Sequence, residues 1–279
     1  MKKILVGMDF SQGAINALDY AIEVAKNTQS DITLVWIEPK TSDRMLPGEK
    51  NEIRHEAKID LQNIVNEKQK ANVGLKITFK QKKGRIYHEM ASTAESVKAD
   101  LVIIGTHGIG GFEEFWVGSN AFKIISYCPC PVISVRTDYQ RGGNIKKIIL
   151  PIDDTIDTTS KVPMAARLAQ AFNAEIDVLG VYDSDLHSIR KKTDQYVQKT
   201  EKYLTENNIK HHFHHCKSNK LHCSIVNYAE NNNADLMVIM TDQNKATSDI
   251  IMGRRAQQII NRSPIPVLSV KPDKMVFVK

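Results

Sequence analysis

Short apolar runs alternate along the first half of the chain with longer stretches in which apolar residues recur every three or four positions. Runs of the first kind are typical of buried strands, and the second spacing is typical of amphipathic helices. The pattern predicts strands at residues 4–8, 32–37, 75–79, 101–105 and 132–135. It predicts helices at residues 11–27, 49–71, 86–97 and 118–127. This alternation favours an α/β fold with a parallel sheet and helices on both faces.

The same pattern occurs twice in the chain. Residues 148–153 repeat the opening apolar segment 144 positions further on, and residues 234–239 repeat residues 99–104 after 135 positions. Residues 263–270 repeat residues 128–135 at that second spacing. The sequence therefore predicts two diverged copies of one domain, at residues 1–137 and 144–279.

Glycines follow the predicted fourth strand at a spacing that suits phosphate. Gly105 and Gly108 come directly after the strand, and Gly118 and Ser119 open the next predicted helix. Glycines let a ligand approach the backbone closely, and successive backbone N–H groups can form a nest for an anion. The amino terminus of a helix also favours a phosphate group. The spacing as a whole predicts a phosphate-binding loop.

This spacing, with Asp9 after the first strand, resembles the nucleotide-binding signature of the universal stress protein family. Residues 99–105 and 130–135 are similar to the family's fourth and fifth strands, and the repeat extends the resemblance over essentially the whole chain. The resemblance implies two tandem doubly wound domains, each a five-stranded parallel sheet in the order 3-2-1-4-5. The winding direction then reverses between strands one and four, where ligands bind in folds of this kind.

The resemblance also implies a set of ligand-binding positions in the first copy. The ribose would be bound by Asp9 and the adenosine pocket lined by Met8, while the backbone of the fourth strand would contact ribose and adenine at Ile104 and Gly105. The phosphates would be held by Gly108, Gly118, Ser119 and Asn120. Trp36 could stack on the base, fill the pocket or pack in the core, and Asp9 could instead support the start of the first helix.

Adenosine triphosphate is the ligand that the resemblance favours, with AMP or ADP as competitors. The loop at residues 109–117 contains Glu113 and Glu114 and no Lys or Arg. A Mg²⁺ or Mn²⁺ ion between carboxylates and phosphates would remove the repulsion, since oxygen ligands suit both ions.

Binding is favoured over catalysis. The chain has no G-x-x-x-x-G-K phosphate-binding loop. His107 could orient a water molecule, but a histidine at this place is also compatible with a structural role. We expect hydrolysis, if it occurs, to be slow, and the protein to act as a nucleotide-dependent switch or adaptor in a stress response. A ligand-free or metal-binding interaction scaffold is the alternative.

The second copy lacks the glycine signature. Met240 and Gln243 occupy the positions of the first two glycines, and Arg254 follows Gly253 where the first copy has Ser119. Side chains at these positions would fill the space that a phosphate needs. We therefore expect the second copy to be degenerate for ATP binding.

A histidine-rich segment at residues 211–216 is followed by His222 and Cys223. Side chains alternate along a strand, so His214 and Cys216 share one face. Together with His222 and Cys223 they could bind Zn²⁺. Polar residues are also expected on an edge strand, which is the alternative explanation.

The composition of the chain limits the classes of binding partner that we expect. The net charge is +6, but the basic residues are dispersed, and the group formed by residues 80–85 contains no aromatic residue, which argues against a nucleic-acid-binding protein. No apolar run has the length of a membrane span, and four cysteines in 279 residues predict a reducing, cytoplasmic location.

The resemblance implies that the two copies form an intramolecular pseudo-dimer across their fifth strands, and a homodimer is possible.

Overall fold

The computed structural model describes residues 1–38, 47–106, 118–139, 142–217, 220–241, 243–244 and 251–272. The chain divides into two compact units, Met1–Gly143 and Asn144–Lys279. No helix in the described part of the chain combines the length and the apolar character of a membrane span.

The first unit is a five-stranded parallel sheet with helices on both faces. Its elements in chain order are β1 (Lys3–Met8), α1 (Gln12–Thr28), β2 (Asp31–Glu38), α2 (Pro47–Ala71), β3 (Ile77–Lys83), α3 (Ile86–Val97), β4 (Leu101–Gly105), α4 (Ser119–Tyr127) and β5 (Val132–Val135). The strand order is β3-β2-β1-β4-β5.

The second unit repeats this topology. Its elements are β6 (Lys147–Ile152), α5 (Val162–Phe172), β7 (Glu175–Tyr182), α6 (His187–Glu206), β8 (His211–Lys217), α7 (Leu221–Asn231), β9 (Leu236–Met240), β10 (Gln243–Asn244), β11 (Ile251–Met252), α8 (Arg254–Arg262) and β12 (Val267–Val270). The parallel strands follow the order β8-β7-β6-β9-β12, while β10 and β11 form a separate antiparallel pair. The predicted doubly wound α/β fold is confirmed in both units.

The core of the first unit lies around its two central strands. Leu5 and Val6 of β1 and Val102 and Ile103 of β4 are all 0% exposed. Strands that are covered on both faces need apolar side chains at successive positions, and this explains the unbroken apolar runs in the sequence.

The third strand differs from its prediction. Residues 75–79 were the predicted span, whereas β3 runs from Ile77 to Lys83 and includes four polar residues at its end. Its backbone pairs in register with β2 as far as Glu38 beside Lys83. Because β3 lies at the outer edge of this unit's sheet, backbone pairing maintains the strand without apolar side chains on both faces.

Candidate functional site

Asp9 follows β1 directly and organises the turn into α1. Its Oδ1 atom accepts hydrogen bonds from the backbone N–H of Ser11 at 3.1 Å and from Ser11 Oγ at 2.5 Å. Ser11 Oγ in turn accepts from the backbone N–H of Ala14 at 3.2 Å and so caps α1. Within the described residues, Asp9 Oδ2 takes no hydrogen bond. One carboxylate oxygen therefore supports the helix, as one interpretation of the sequence expected, and the other is available at the carboxyl end of the sheet.

Gly105 ends β4 beside this turn. Ile103 pairs in register with Val6, so Gly105 and Met8 lie two residues further along neighbouring strands. A β-carbon on Gly105 would lie 2.6 Å from the carbonyl carbon of Gly13 in the first turn of α1. Glycine is thus required at this position by the close approach of α1, and this brings the start of α1 against the end of β4.

Within the described residues, the first turn of α4 has no side-chain cap. Gly118 is the N-cap residue, and its own N–H donates to the carbonyl of Thr106 at 2.9 Å. No side chain caps this helix, its first turn contains no acidic residue, and Ser119 and Asn120 are exposed. A helix start with free N–H groups and a positive dipole end favours an anion. This geometry is compatible with an anion at the start of α4, beside Ser119 and Asn120.

The other proposed ligand-binding side chains in the described residues are buried. Met8 and Trp36 lie side by side on β1 and β2, 3% and 5% exposed, and Ile104 of β4 is 3% exposed. Trp36 therefore packs in the interior near the end of the sheet. Gly108 and His107, as well as Glu113 and Glu114, lie outside the described residues.

No pattern in the sequence predicted the unusual backbone conformation of Phe10, which stands between Asp9 and Ser11. Its φ is 64°, in the left-handed region that large side chains rarely adopt. Such a conformation is unfavourable by about 1–2 kcal/mol for an L-residue, and strained residues of this kind cluster at binding sites. Phe10 is half-buried.

The second unit contains the same turn with its carboxylate already paired. Asp153 Oδ1 accepts from the N–H of Thr155 at 3.1 Å and from Thr155 Oγ1 at 2.5 Å, as Asp9 does from Ser11. Here the second oxygen, Oδ2, lies 3.4 Å from Nη1 of Arg255, whose Nη2 lies 3.2 Å from Asp183 Oδ2. Arg255 occupies the position in α8 that Asn120 occupies in α4, 135 residues earlier.

A buried lysine adds to this charge cluster. Lys161 is 3% exposed, and its Nζ donates to the carbonyl of Thr158 at 2.6 Å. Burial alone would raise the pKa of Asp153, but the positive charge of Lys161 and hydrogen bonds from Thr155 and Thr158 outweigh it and hold the pKa below its ordinary value. Asp153 is therefore a carboxylate at neutral pH, neutralised by the protein's own cations.

The space around Asp153 is small. The cavity between the ends of β6 and β9 and the start of α8 has a volume of about 50 Å³, and Lys161 and Arg255 contribute to its wall. Close by, β10 and β11 pair Gln243 with Met252 and Asn244 with Ile251, across the segment that corresponds to the glycine loop of the first copy. A cavity of this size holds a few water molecules, since water occupies about 30 Å³ in the liquid.

The structure does not bring the four predicted zinc ligands together. Among the described residues no three His, Cys, Asp or Glu side chains converge in a group that could hold a metal ion. His214 Nε2 lies 3.8 Å from Asp177 Oδ1, whereas Cys223 on α7 accepts a hydrogen bond from Nη1 of Arg262 at 3.1 Å. Burial, and then the charges of Arg262, Lys220 and Arg255, lower the pKa of His222, while burial raises the pKa of the Cys216 thiol. The four residues therefore belong to separate environments, two of them unfavourable for a cation or a thiolate.

Comparison with known proteins agrees with the fold and the repeat. The model of the universal stress protein family matches residues 1–136 and again residues 144–271. Universal stress protein YxiE of Bacillus subtilis is 30% identical over 145 residues, covering 48% of this chain and 98% of YxiE. The crystal structure of a universal stress protein from Archaeoglobus fulgidus covers 97% of this chain and 98% of its own, with a TM-score of 0.79 and 18% identity. A universal stress protein solved in complex with cAMP matches 49% of this chain and 98% of its own, with a TM-score of 0.39 and 22% identity.

The protein is an α/β protein built from two tandem doubly wound domains. It belongs to the universal stress protein family, and its two units are two copies of the family's domain.

Proposed function

We propose that the protein binds one ATP molecule per chain, in the crevice of the first unit, and that the bound nucleotide acts as a switch in a stress response. The observation that carries this proposal is the difference between two equivalent carboxylates. Asp9 Oδ2 is unpaired within the described residues, whereas Asp153 Oδ2 faces Arg255. A carboxylate oxygen is the acceptor that a ribose hydroxyl requires, and in the first unit it remains available.

The phosphates would extend from Asp9 and Gly105 towards the start of α4. The N–H groups of Ser119 and Asn120 lie in its uncapped first turn, where the helix dipole favours negative charge. Met8 and Trp36 would supply the apolar wall for the adenine, with Trp36 lining the pocket from the core, while the backbone of Ile104 and Gly105 would contact ribose and adenine. Gly108 belongs to the proposed loop by resemblance to the family.

The second unit supports the proposed stoichiometry. Arg255 and Lys161 already neutralise Asp153, and the cavity beside it is far smaller than the roughly 300 Å³ or more of a typical small-molecule site. A nucleotide would have to separate Arg255 from two carboxylates before it could enter. We therefore assign the second unit no nucleotide.

The proposal is tested by isothermal titration calorimetry with ATP and Mg²⁺. We expect one site in the wild type. Gly118→Val places a branched side chain at the start of α4, where a β-carbon already lies 3.4 Å from Thr106 O, and should abolish binding. Asp9→Asn keeps one side-chain oxygen for the Ser11 turn but replaces the second carboxylate oxygen with an amide nitrogen. It should weaken ATP binding about tenfold or more, because a hydrogen bond to a charged group is lost.

The matched control is Gly253→Val, at the same position in the second copy. It should leave ATP binding unchanged, and circular dichroism should show that all variants are folded. Parallel titrations with AMP, ADP and cAMP identify which adenine nucleotide is preferred. Absence of binding to nucleotide-free wild type, or an equal loss in Gly253→Val, would contradict the proposal and would favour a ligand-free scaffold.

A further inference from the structure

Three aromatic rings from two helices meet on the surface of the first unit. Tyr87 and His88 lie at the start of α3 and Tyr127 lies at the end of α4. The ring centroid of Tyr87 is 4.6 Å from that of His88 and 4.8 Å from that of Tyr127, and His88 and Tyr127 are 5.6 Å apart. His88 is exposed and the two tyrosines are half-buried, so the three rings form a packed aromatic platform at the surface.

Cations surround this platform. Lys123 of α4 places its Nζ 5.3 Å from the centroid of the Tyr87 ring, and Arg85 is the N-cap residue of α3. In the described part of the chain, Lys82, Arg85 and Lys123 form no ion pair, although five other basic residues of this unit do. The acidic residue in the first turn of α3, Glu89, lies against Gly84.

Lysines at the end of β3 add positive charge on the side of the sheet that faces α3. Lys80 lies in register with Val35, which lies in register with Gly7. A β-carbon on Gly7 would be 3.7 Å from Met90 Cε, so this row of positions faces α3. Side chains alternate along a strand, and Lys82 therefore shares this face with Lys80.

We propose that Lys82, Arg85, Tyr87, His88, Lys123 and Tyr127 form an aromatic–basic patch that binds single-stranded nucleic acid. Unpaired cations attract a phosphate backbone, and exposed rings stack on unpaired bases. Cations together with aromatic rings favour a single strand over other anionic ligands. An acidic peptide needs no rings to stack on, and the bases of a duplex are already stacked on one another. The sequence disfavoured nucleic acid since residues 80–85 contain no aromatic residue, but the fold brings aromatic rings to them from two helices.

The second copy does not repeat the patch. The positions of Tyr87, His88 and Tyr127 are taken there by His222, Cys223 and Arg262, and Arg262 donates to the Cys223 sulfur at 3.1 Å. On the corresponding strand, the uncharged residue Cys216 takes the register position of Lys82. The second copy therefore provides a matched control surface within the same chain.

The test is fluorescence anisotropy with labelled oligo(dT) and oligo(U) of about 15 nucleotides, the upper part of common single-strand site sizes. We expect binding at about 50 mM salt that weakens steeply as salt increases. Lys82→Ala should reduce the slope of log K against log salt by about 0.7, the value for one phosphate contact in a single strand. Tyr127→Leu should weaken binding about tenfold, whereas Tyr127→Phe retains the ring and should bind like wild type.

Arg262→Ala, which changes the net charge as much as Lys82→Ala, should leave the slope unchanged. Gly118→Val should bind the oligonucleotides like wild type, because Gly118 lies outside the patch; this separates the patch from ATP binding. The proposal is overturned by absence of binding at low salt, by equal affinity for a duplex of the same length, or by a Tyr127→Leu variant that binds like wild type. It is also overturned if vesicles of phosphatidylserine bind through the same residues and the oligonucleotides do not.

Discussion

Phe10 shows how a single residue can mark the proposed site. It stands in the left-handed backbone region between Asp9, whose Oδ2 atom is open, and Ser11, which caps α1. At the matching position of the second copy Asp154 is not left-handed, although Asp153 makes the same turn with Thr155.

We predict that Phe10→Gly is more stable to urea unfolding than Phe10→Ala, by about 1 kcal/mol, because only glycine removes the left-handed strain while both variants lose the ring. At Asp154 the order should reverse, since glycine at an ordinary φ is less favourable than alanine by about 0.5–1 kcal/mol. Equal stabilities of the two Phe10 variants would show that the strained conformation does not persist in solution.

Among secondary-structure elements, the contact between β4 and α1 determines the shape of the crevice. Gly105 and Gly13 allow the end of a strand and the first turn of a helix to touch through their backbones. The spacing of Gly105 relative to Gly108 and Gly118 predicted a ligand-binding role for this residue. The structure adds a packing role, because any side chain at Gly105 would push α1 away and with it the Asp9 turn.

Gly105→Ala should therefore destabilise the protein by about 1–3 kcal/mol, the usual cost of overpacking a close contact. Gly48→Ala is the control, because a β-carbon there meets nothing within 4 Å and alanine is the better helix former. Thermal unfolding of both variants checks this, and an unchanged midpoint for Gly105→Ala would contradict the proposed contact.

For the molecule as a whole, duplication produced two copies of one fold with different crevices. Both units have the same strand order and the same Asp-containing turn, but in the second unit Arg255 and Lys161 line the crevice beside the aspartate. The association of the units across β5 and β12, and of two chains in a homodimer, stays a prediction from the family resemblance.

If ATP binds as proposed, its protection against unfolding should be confined to one unit. At a ligand concentration about 100 times Kd the stabilisation is about 2.7 kcal/mol. Hydrogen exchange measured by mass spectrometry should show slower exchange in peptides from residues 1–136, above all at the ends of β1 and β4 and the start of α4. Peptides from residues 144–271 should exchange at the same rate with and without ATP, and equal protection of both regions would contradict a single site.

Local patterns were sufficient to predict most of the fold. Strands such as β1 and β4 are buried on both faces, so their apolar runs are unbroken and easily recognised. The end of β3 was missed because an edge strand is held by backbone pairing, which leaves no apolar signature at Lys80 to Lys83. The predicted zinc ligands do not converge, because residues that are close in sequence, such as Cys216 and Cys223, lie on different elements with different neighbours.

By itself the sequence determined the class of fold, its duplication and the glycine spacing of the first copy, because each of these depends on periodicity or on residues near one another in the chain. Only the tertiary structure decided that the carboxylate of the second crevice is paired, since the pairing of Arg255 with Asp153 joins residues 102 positions apart. The tertiary structure also places the ring of Tyr127 against that of Tyr87, and it places the lysines of β3 on the same side of the sheet as these rings. Contacts of this kind depend on how helices pack on a finished sheet, and no local pattern in the sequence encodes them.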